Sequence, residues 1–145
     1  CMRVLTLWEP WATLMALGEK RIETRSWATK YRGPLAIHAA KGGLRVRDLA
    51  VVLSEPSIKT ALMGQMFEPG CVVAVVNLWA CVPVEKYEHL TDKERAFGDY
   101  TPGRFAWLTQ GVFRLPHPLF KKGGQGLRIL SPGFVEQIKA QGWSG

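Results

Sequence analysis

The chain has little of what builds covalent or metal-centred scaffolds. It carries three cysteines and three histidines in 145 residues, and no cysteine falls in a CxxC or other metal-ligand spacing. A disulfide framework and a zinc knot are thereby excluded as organising devices. Cys71 and Cys81 sit in apolar sequence, as buried thiols of a reducing compartment do. Long apolar runs are also missing. The stretch from Cys71 to Val84 is interrupted by Asn77 and Pro83 and is too short for a bilayer span. There is no signal-peptide pattern, internal repeat, linker or low-complexity block. The expectation is a cytoplasmic protein without membrane contact, with one domain over residues 2–145. Cys1 precedes Met2 and reads as an added residue. Asp92, Glu94 and Asp99 lack any metal-specific spacing, so neither a metal nor another cofactor is expected.

Acidic residues are scarce as well. Twelve Asp and Glu face nineteen Lys and Arg, for a formal charge of +7. With six tryptophans, that balance suits an anionic partner, nucleic acid first and free nucleotides second. Composition alone gives equal weight to a protein that is merely basic.

The densest information lies between Trp8 and Trp27. Pro10 suits the first turn of a helix, Leu14 to Leu17 are good helix formers, and Gly18 stands where a left-handed residue ends one. Val4 to Leu7 reads as a buried strand before the helix. Arg21 to Arg25 alternates charge with Ile22 and Thr24, the period of a strand with one wet face. In such a strand Arg21, Glu23 and Arg25 share a side, with neighbours about 6.8 Å apart. Lys20 has the opposite parity and joins them only if the chain bends after Gly18. Opposite charges at about 4 Å near a surface attract by roughly 4 kcal/mol before desolvation. Glu23 can thus hold a cation and leave positive charge for an anionic ligand. By spacing alone, an ordinary surface ladder is favoured.

Farther on, Leu35 to Ala39 reads as a strand after the Gly33-Pro34 turn. Val46, Leu49, Ala50 and Leu53 have the spacing of one helix face, and a second helix is expected from Ile58 to Met66. Cys71 to Leu78 is a valine-rich strand. Thr91 to Glu94 has the form of a capping box. Residues 104–109 and 112–115 read as strands of a hairpin turning at Gln110-Gly111. Ser131-Pro132 opens a closing helix. The expected class is α+β, with about six strands and three to five short helices.

The run Pro10-Trp11 through Gly18-x-Lys20-x-x-Glu23-x-Arg25 resembles the ASCH domain family, whose signature is GxKxxExR. Leu5 to Trp8, Trp27, Tyr31-Arg32-Gly33, His38 to Lys41 and Gly98-Asp99-Tyr100 support the resemblance over nearly the whole chain. It implies a PUA-like fold, a small mixed β-barrel flanked by short helices, related to RNA-binding domains. It also implies a cleft into which Lys20, Glu23 and Arg25 point. Family members have been proposed as RNA- or DNA-binding modules; some small ones are amidohydrolases on acylated cytidine, and nuclease activity has also been suggested. Those amidohydrolases carry, where this chain has Glu23, a threonine whose hydroxyl is the natural nucleophile, a role that Glu23 does not fill in the same way.

The leading expectation is a nucleic-acid-binding module, RNA before DNA, with a positively charged nucleotide cleft. Its candidate binding residues are Trp11, Lys20, Glu23, Arg25, Ser26, Trp27, Lys41, Tyr100 and Arg104. The alternative is a small hydrolase on a modified nucleoside or on single-stranded RNA, with Lys20 and Glu23 as acid–base pair and Asp99 as helper. Trp27 is the better stacking residue and Trp11 is expected to be partly buried. Trp8, Trp79, Trp107 and His38 are assigned to the core. Asp99, Tyr100 and Arg104 flank a turn suited to cap the pocket, and Lys122 and Gln125 to a basic flap. A protein-interaction role, known for larger regulatory members of the family, has no direct support in the residues.

Overall fold

Near-continuous apolar runs at Val4–Leu7, Leu35–Ala39 and Val72–Val76 call for strands buried on both faces. They form the centre of one sheet in the computed structural model, which describes residues 1–145. Its strands are β1 (Arg3–Glu9), β2 (Ile22–Arg25), β3 (Gly33–Leu44), β4 (Cys71–Pro83), β5 (Phe105–Phe120) and β6 (Arg128–Ile129). They lie in the order β2-β5-β4-β3-β1-β6. Only β1 and β3 pair in parallel; the other neighbours are antiparallel. The helices are α1 (Trp11–Ala16), α2 (Val46–Ser54), α3 (Pro56–Leu62), α4 (Asp92–Ala96) and α5 (Pro132–Lys139). No helix is long and apolar enough to cross a membrane.

The sheet curls without closing by backbone pairing into a full barrel. Arg25 on edge strand β2 donates through Nη2 to the Thr6 carbonyl of β1 at 2.8 Å, although three strands stand between them in the sheet order. A side chain thus fastens what the ladder leaves open. Inside the curl, Leu5, Leu7, Leu35, Ile37 and Trp107 pack with Ala12, Met15 and Ala16 of α1. On the outer face, Val4, Ala36, Val75 and Leu115 pack with Ile138 of α5. The alternation of inner and outer residues follows the two-residue period of a strand.

Helix α1 has six residues, too few to be stable alone. Burial of Ala12 to Ala16 supports it. The Glu9 carboxylate caps it, accepting from the Thr13 amide at 2.9 Å and the Thr13 hydroxyl at 2.7 Å. Glu9 is wholly buried; desolvation raises its carboxyl above the usual range, and the Thr13 bonds oppose that rise. Gly18, at φ 78°, ends the helix as expected, and the Glu19 and Lys20 amides both return to the Leu14 carbonyl.

Several expectations are corrected. The hairpin at Gln110-Gly111 is absent. β5 runs straight through, because β4 is long enough to pair along almost its full length. Asn77 faces Gln110 while Val75 faces Phe113, so one extra residue bulges from β5, and Gly111 takes φ 64° there. On α2 the inward face is not the expected one. Asp48 is buried and Val51 and Val52 pack on Leu14, Ile58 and Phe97, while Val46, Leu49 and Leu53 are exposed. Trp8 and Trp79 are not core but 42 % and 50 % exposed; Trp107 is buried as assigned. The Thr91 hydroxyl caps α4 by accepting from the Glu94 amide. Glu94 does not complete the box; its Oε1 accepts from the Arg21 amide at 2.6 Å instead. Ser131 caps α5 as read.

Gly111→Ala tests the bulge. No atom lies within 4 Å of an added Cβ, so the cost is backbone strain alone, about 1 kcal/mol of unfolding free energy. Urea denaturation reads it; an unchanged midpoint would contradict the left-handed assignment.

Candidate functional site

The site is assembled from the turn after α1. Released by Gly18, the chain swings Lys20 inward rather than outward. Its side chain has no solvent exposure. The ammonium donates to the Ile22 carbonyl at 2.5 Å and the Phe97 carbonyl at 2.7 Å, lies 3.5 Å from Glu23 Oε1, and stands 5.6 Å from the centre of the Trp11 ring. Desolvation lowers its pKa, and the charges of Glu23 and Glu94 oppose that effect. An ammonium has three protons, and these three oxygens account for them.

Glu23 carries the chain of charges onward. Its Oε2 accepts from Arg25 Nε at 3.0 Å, so one carboxylate lies between a buried ammonium and a part-exposed guanidinium. Arg25 Nη2 reaches Thr6. Thr6 is itself a junction. Its hydroxyl accepts from Arg128 Nη2 at 2.9 Å and lies 3.0 Å from His38 Nδ1. His38 Nε2 donates to the Lys121 carbonyl at 2.6 Å, which puts the proton of a neutral ring on Nε2. His38 is buried, and desolvation lowers its pKa. The core reading of this histidine agrees with that geometry.

A cleft of about 590 Å³ opens above Glu23 and Arg25. Its walls are Thr6 and Trp8 of β1, Trp11, the start of α2 with Arg45, Arg47 and Asp48, and the segment from Ala96 to Asp99 with Arg104. Four arginines and three carboxylates line it. Each carboxylate holds one arginine: Glu23 holds Arg25, Asp48 holds Arg45 at 2.9 Å, and Asp99 lies 3.6 Å from Arg104. Arg47 has no carboxylate partner. Arg104 is fixed further by its bonds to the Asp99 and Thr24 carbonyls. The Arg45 guanidinium stacks on Trp8, 4.6 Å from the ring centre. The Thr101 amide and hydroxyl lower the Asp99 pKa, so its carboxylate stays charged.

Of the candidate residues, Trp11, Glu23, Arg25, Asp99 and Arg104 line the cleft, while five do not. Lys20 is sealed beneath β2 by the bonds above. Trp27 stands edge-on against Trp107, 4.8 Å between ring centres, and its carbonyl accepts from the Trp107 indole, so it packs on the core. Ser26 and Lys41 are exposed away from the cleft, because β3 continues past Lys41 to Leu44. Tyr100 turns onto Ile22, Val84, Ala106 and Leu108. Burial and the neighbouring Glu94 raise its phenol pKa far above normal, so it remains neutral. Sequence reasoning missed Thr6, Trp8, Thr24 and the Arg45-x-Arg47 pair as lining residues. The parity of Thr6 and Trp8, opposite to Leu5 and Leu7, was the available signal for two of them.

A model of the ASCH domain matches residues 5–117. The chain belongs to the ASCH domain family. Over 87 residues it is 30 % identical to Activating signal cointegrator 1 of Mus musculus, and equally to that of Homo sapiens. The match takes in 58 % of this chain and 15 % of each relative. The PUA-like fold is shared with crystal structures of the ASCH protein of Zymomonas mobilis and of a point variant of it. Both give a TM-score of 0.58 at 16 % identity, over 96 % of this chain and 94 % and 96 % of theirs. In this ASCH domain the signature residues divide by depth: Gly18 turns the chain, Lys20 is buried, and Glu23 and Arg25 reach the cleft.

Lys20→Met removes a buried cation and strands two carbonyls. Glu23 keeps Arg25, so the expected loss is at the low end for a broken buried pair, about 3 kcal/mol. That corresponds to a melting temperature lower by roughly 6–12 °C; a variant as stable as the parent would refute the structural role. For His38, the unfolded ring takes up a proton near its ordinary value of 6.5 and the folded ring only at lower pH. Stability therefore falls as pH drops below about 6.5. His38→Gln flattens that limb of the stability–pH curve in denaturant titrations.

Proposed function

We propose that this ASCH domain binds single-stranded nucleic acid, RNA in preference to DNA, with one nucleotide seated in the cleft. The observation that carries the reading is the convergence of four arginines beside an exposed tryptophan in one concavity. A cleft of about 590 Å³ falls within the usual size of small-ligand sites. The Arg45 guanidinium, held over the Trp8 ring, offers a planar cation on which a base can stack, and the other guanidiniums suit phosphate. The paired carboxylates add acceptors for a ribose 2′-hydroxyl, the group that separates RNA from DNA. The family's link to RNA binding and the charge of +7 point the same way. The three free thiols suit a reducing compartment such as the cytoplasm.

The hydrolase alternative has less behind it. A general acid needs a proton to give, and the Lys20 protons are engaged by Ile22, Phe97 and Glu23. Glu23 in turn is engaged by Arg25. The 87 matched residues make up about 15 % of the length of each cointegrator relative.

The salt dependence of binding tests the reading. If all four arginines meet phosphates of a single strand, the slope of log affinity against log salt is about −3. Arg47→Ala reduces its magnitude by about 0.7, one phosphate contact. Fluorescence anisotropy with labelled single-stranded RNA measures both, and a flat response in the parent would dismiss the proposal.

A further inference from the structure

A second hollow, of about 430 Å³, is walled by Thr91, Lys93 and Glu94 of the α4 segment, which continues through Ala96 and Phe97 into the wall of the cleft. α4 is therefore a ridge with a concavity on either side. β2 and the residue before it connect the two: Arg21 lines the second hollow and Arg25 the cleft, about 13 Å apart along an extended strand.

The second hollow has the chemistry of a base-stacking site. Trp79, half exposed, lines it together with Tyr87 and His89, whose rings meet edge to face at 6.0 Å and 77°. The exposure of Trp79 has a backbone cause. Leu78 faces Thr109 and Ala80 faces Leu108, so Trp79 is an extra residue in β4, and such a bulge re-aims a side chain. The cations differ in their freedom. Lys93 is paired with Glu19, whereas Arg21 has no carboxylate partner. Its backbone is nevertheless clamped: the amide donates to Glu94 at 2.6 Å, and the carbonyl accepts from the Thr109 hydroxyl at 2.7 Å and the Thr109 amide at 3.0 Å. A free guanidinium on a fixed root beside an exposed indole matches a phosphate followed by a base.

We infer that this hollow is a second nucleotide subsite, in which Trp79 stacks a base of the same strand that enters the cleft and Arg21 meets its phosphate. A single strand then crosses α4 between the two. The inference rests on the nucleic-acid reading of the cleft and adds its direction and footprint.

The test compares the full chain with Trp79→Ala and with Arg104→Ala, using a ribonucleoside 5′-monophosphate and a labelled single-stranded RNA of eight nucleotides. Trp79→Ala is expected to weaken the octamer roughly five- to hundredfold, the range for one stacked base, and to remove one of two mononucleotide sites while the cleft site keeps its affinity. Arg104→Ala is expected to weaken both the octamer and the cleft's mononucleotide site. Trp79→Phe, which keeps a stacking face, restores most of the octamer affinity. Arg21→Gln reduces the octamer's salt slope by about 0.7. Octamer binding within twofold of the parent for Trp79→Ala overturns the inference while the cleft reading stands. Loss of the cleft's mononucleotide site in Trp79→Ala overturns it too, since the effect is then not confined to a second subsite. A parent that binds neither probe overturns both readings.

Discussion

One buried ammonium organises this molecule. Lys20 lies where a lysine is costly, out of water, and three oxygens make the position tenable. The Ile22 carbonyl belongs to β2 and the Phe97 carbonyl to the end of α4, so the same group fastens an edge strand to a short helix. It also fixes Glu23, which orients Arg25, which closes the sheet's curl at Thr6. Removing the ammonium would disturb the local fold and the cleft floor together.

The electrostatics of the cleft follow from that economy of pairing. Three of its four arginines are held by carboxylates. Their guanidiniums are oriented before any ligand arrives, and their charge is largely offset. Such an arrangement favours selectivity over bulk attraction. Arg47, without a partner, contributes the less compensated charge. The second hollow repeats the pattern, with Lys93 neutralised and Arg21 left free.

Much of this was legible along the chain because it depends on near neighbours. The end of α1 at Gly18, the alternating strand at Ile22 to Arg25, the Thr91 half of the capping box, the cap at Ser131 and the valine-rich β4 all follow from local chemistry. The failures share a cause. Gln110-Gly111 resembles a hairpin turn, but whether a glycine reverses a strand or bulges it depends on the partner strand, and β4 runs past it. The apolar stripe of α2 resembles a core face, but α2 lies on the cleft wall and turns its other side to Leu14 and Phe97. Trp8 resembles a core residue by type, but its parity opposes Leu5 and Leu7 and it is exposed. β6 has two residues, too few to leave a period.

The order of charges on β2 and the turn that precedes it belonged to the sequence, since strand parity and a left-handed glycine act within a few residues. The depth of each charge did not. Lys20 lies beneath the strand and Arg25 opens to the cleft because α4 covers one and the curl of the sheet exposes the other. The cover over Lys20 comes from Phe97, 77 positions away, and the curl beside Arg25 is fastened at Thr6, 19 positions away; neither lies within the few residues over which a local preference acts.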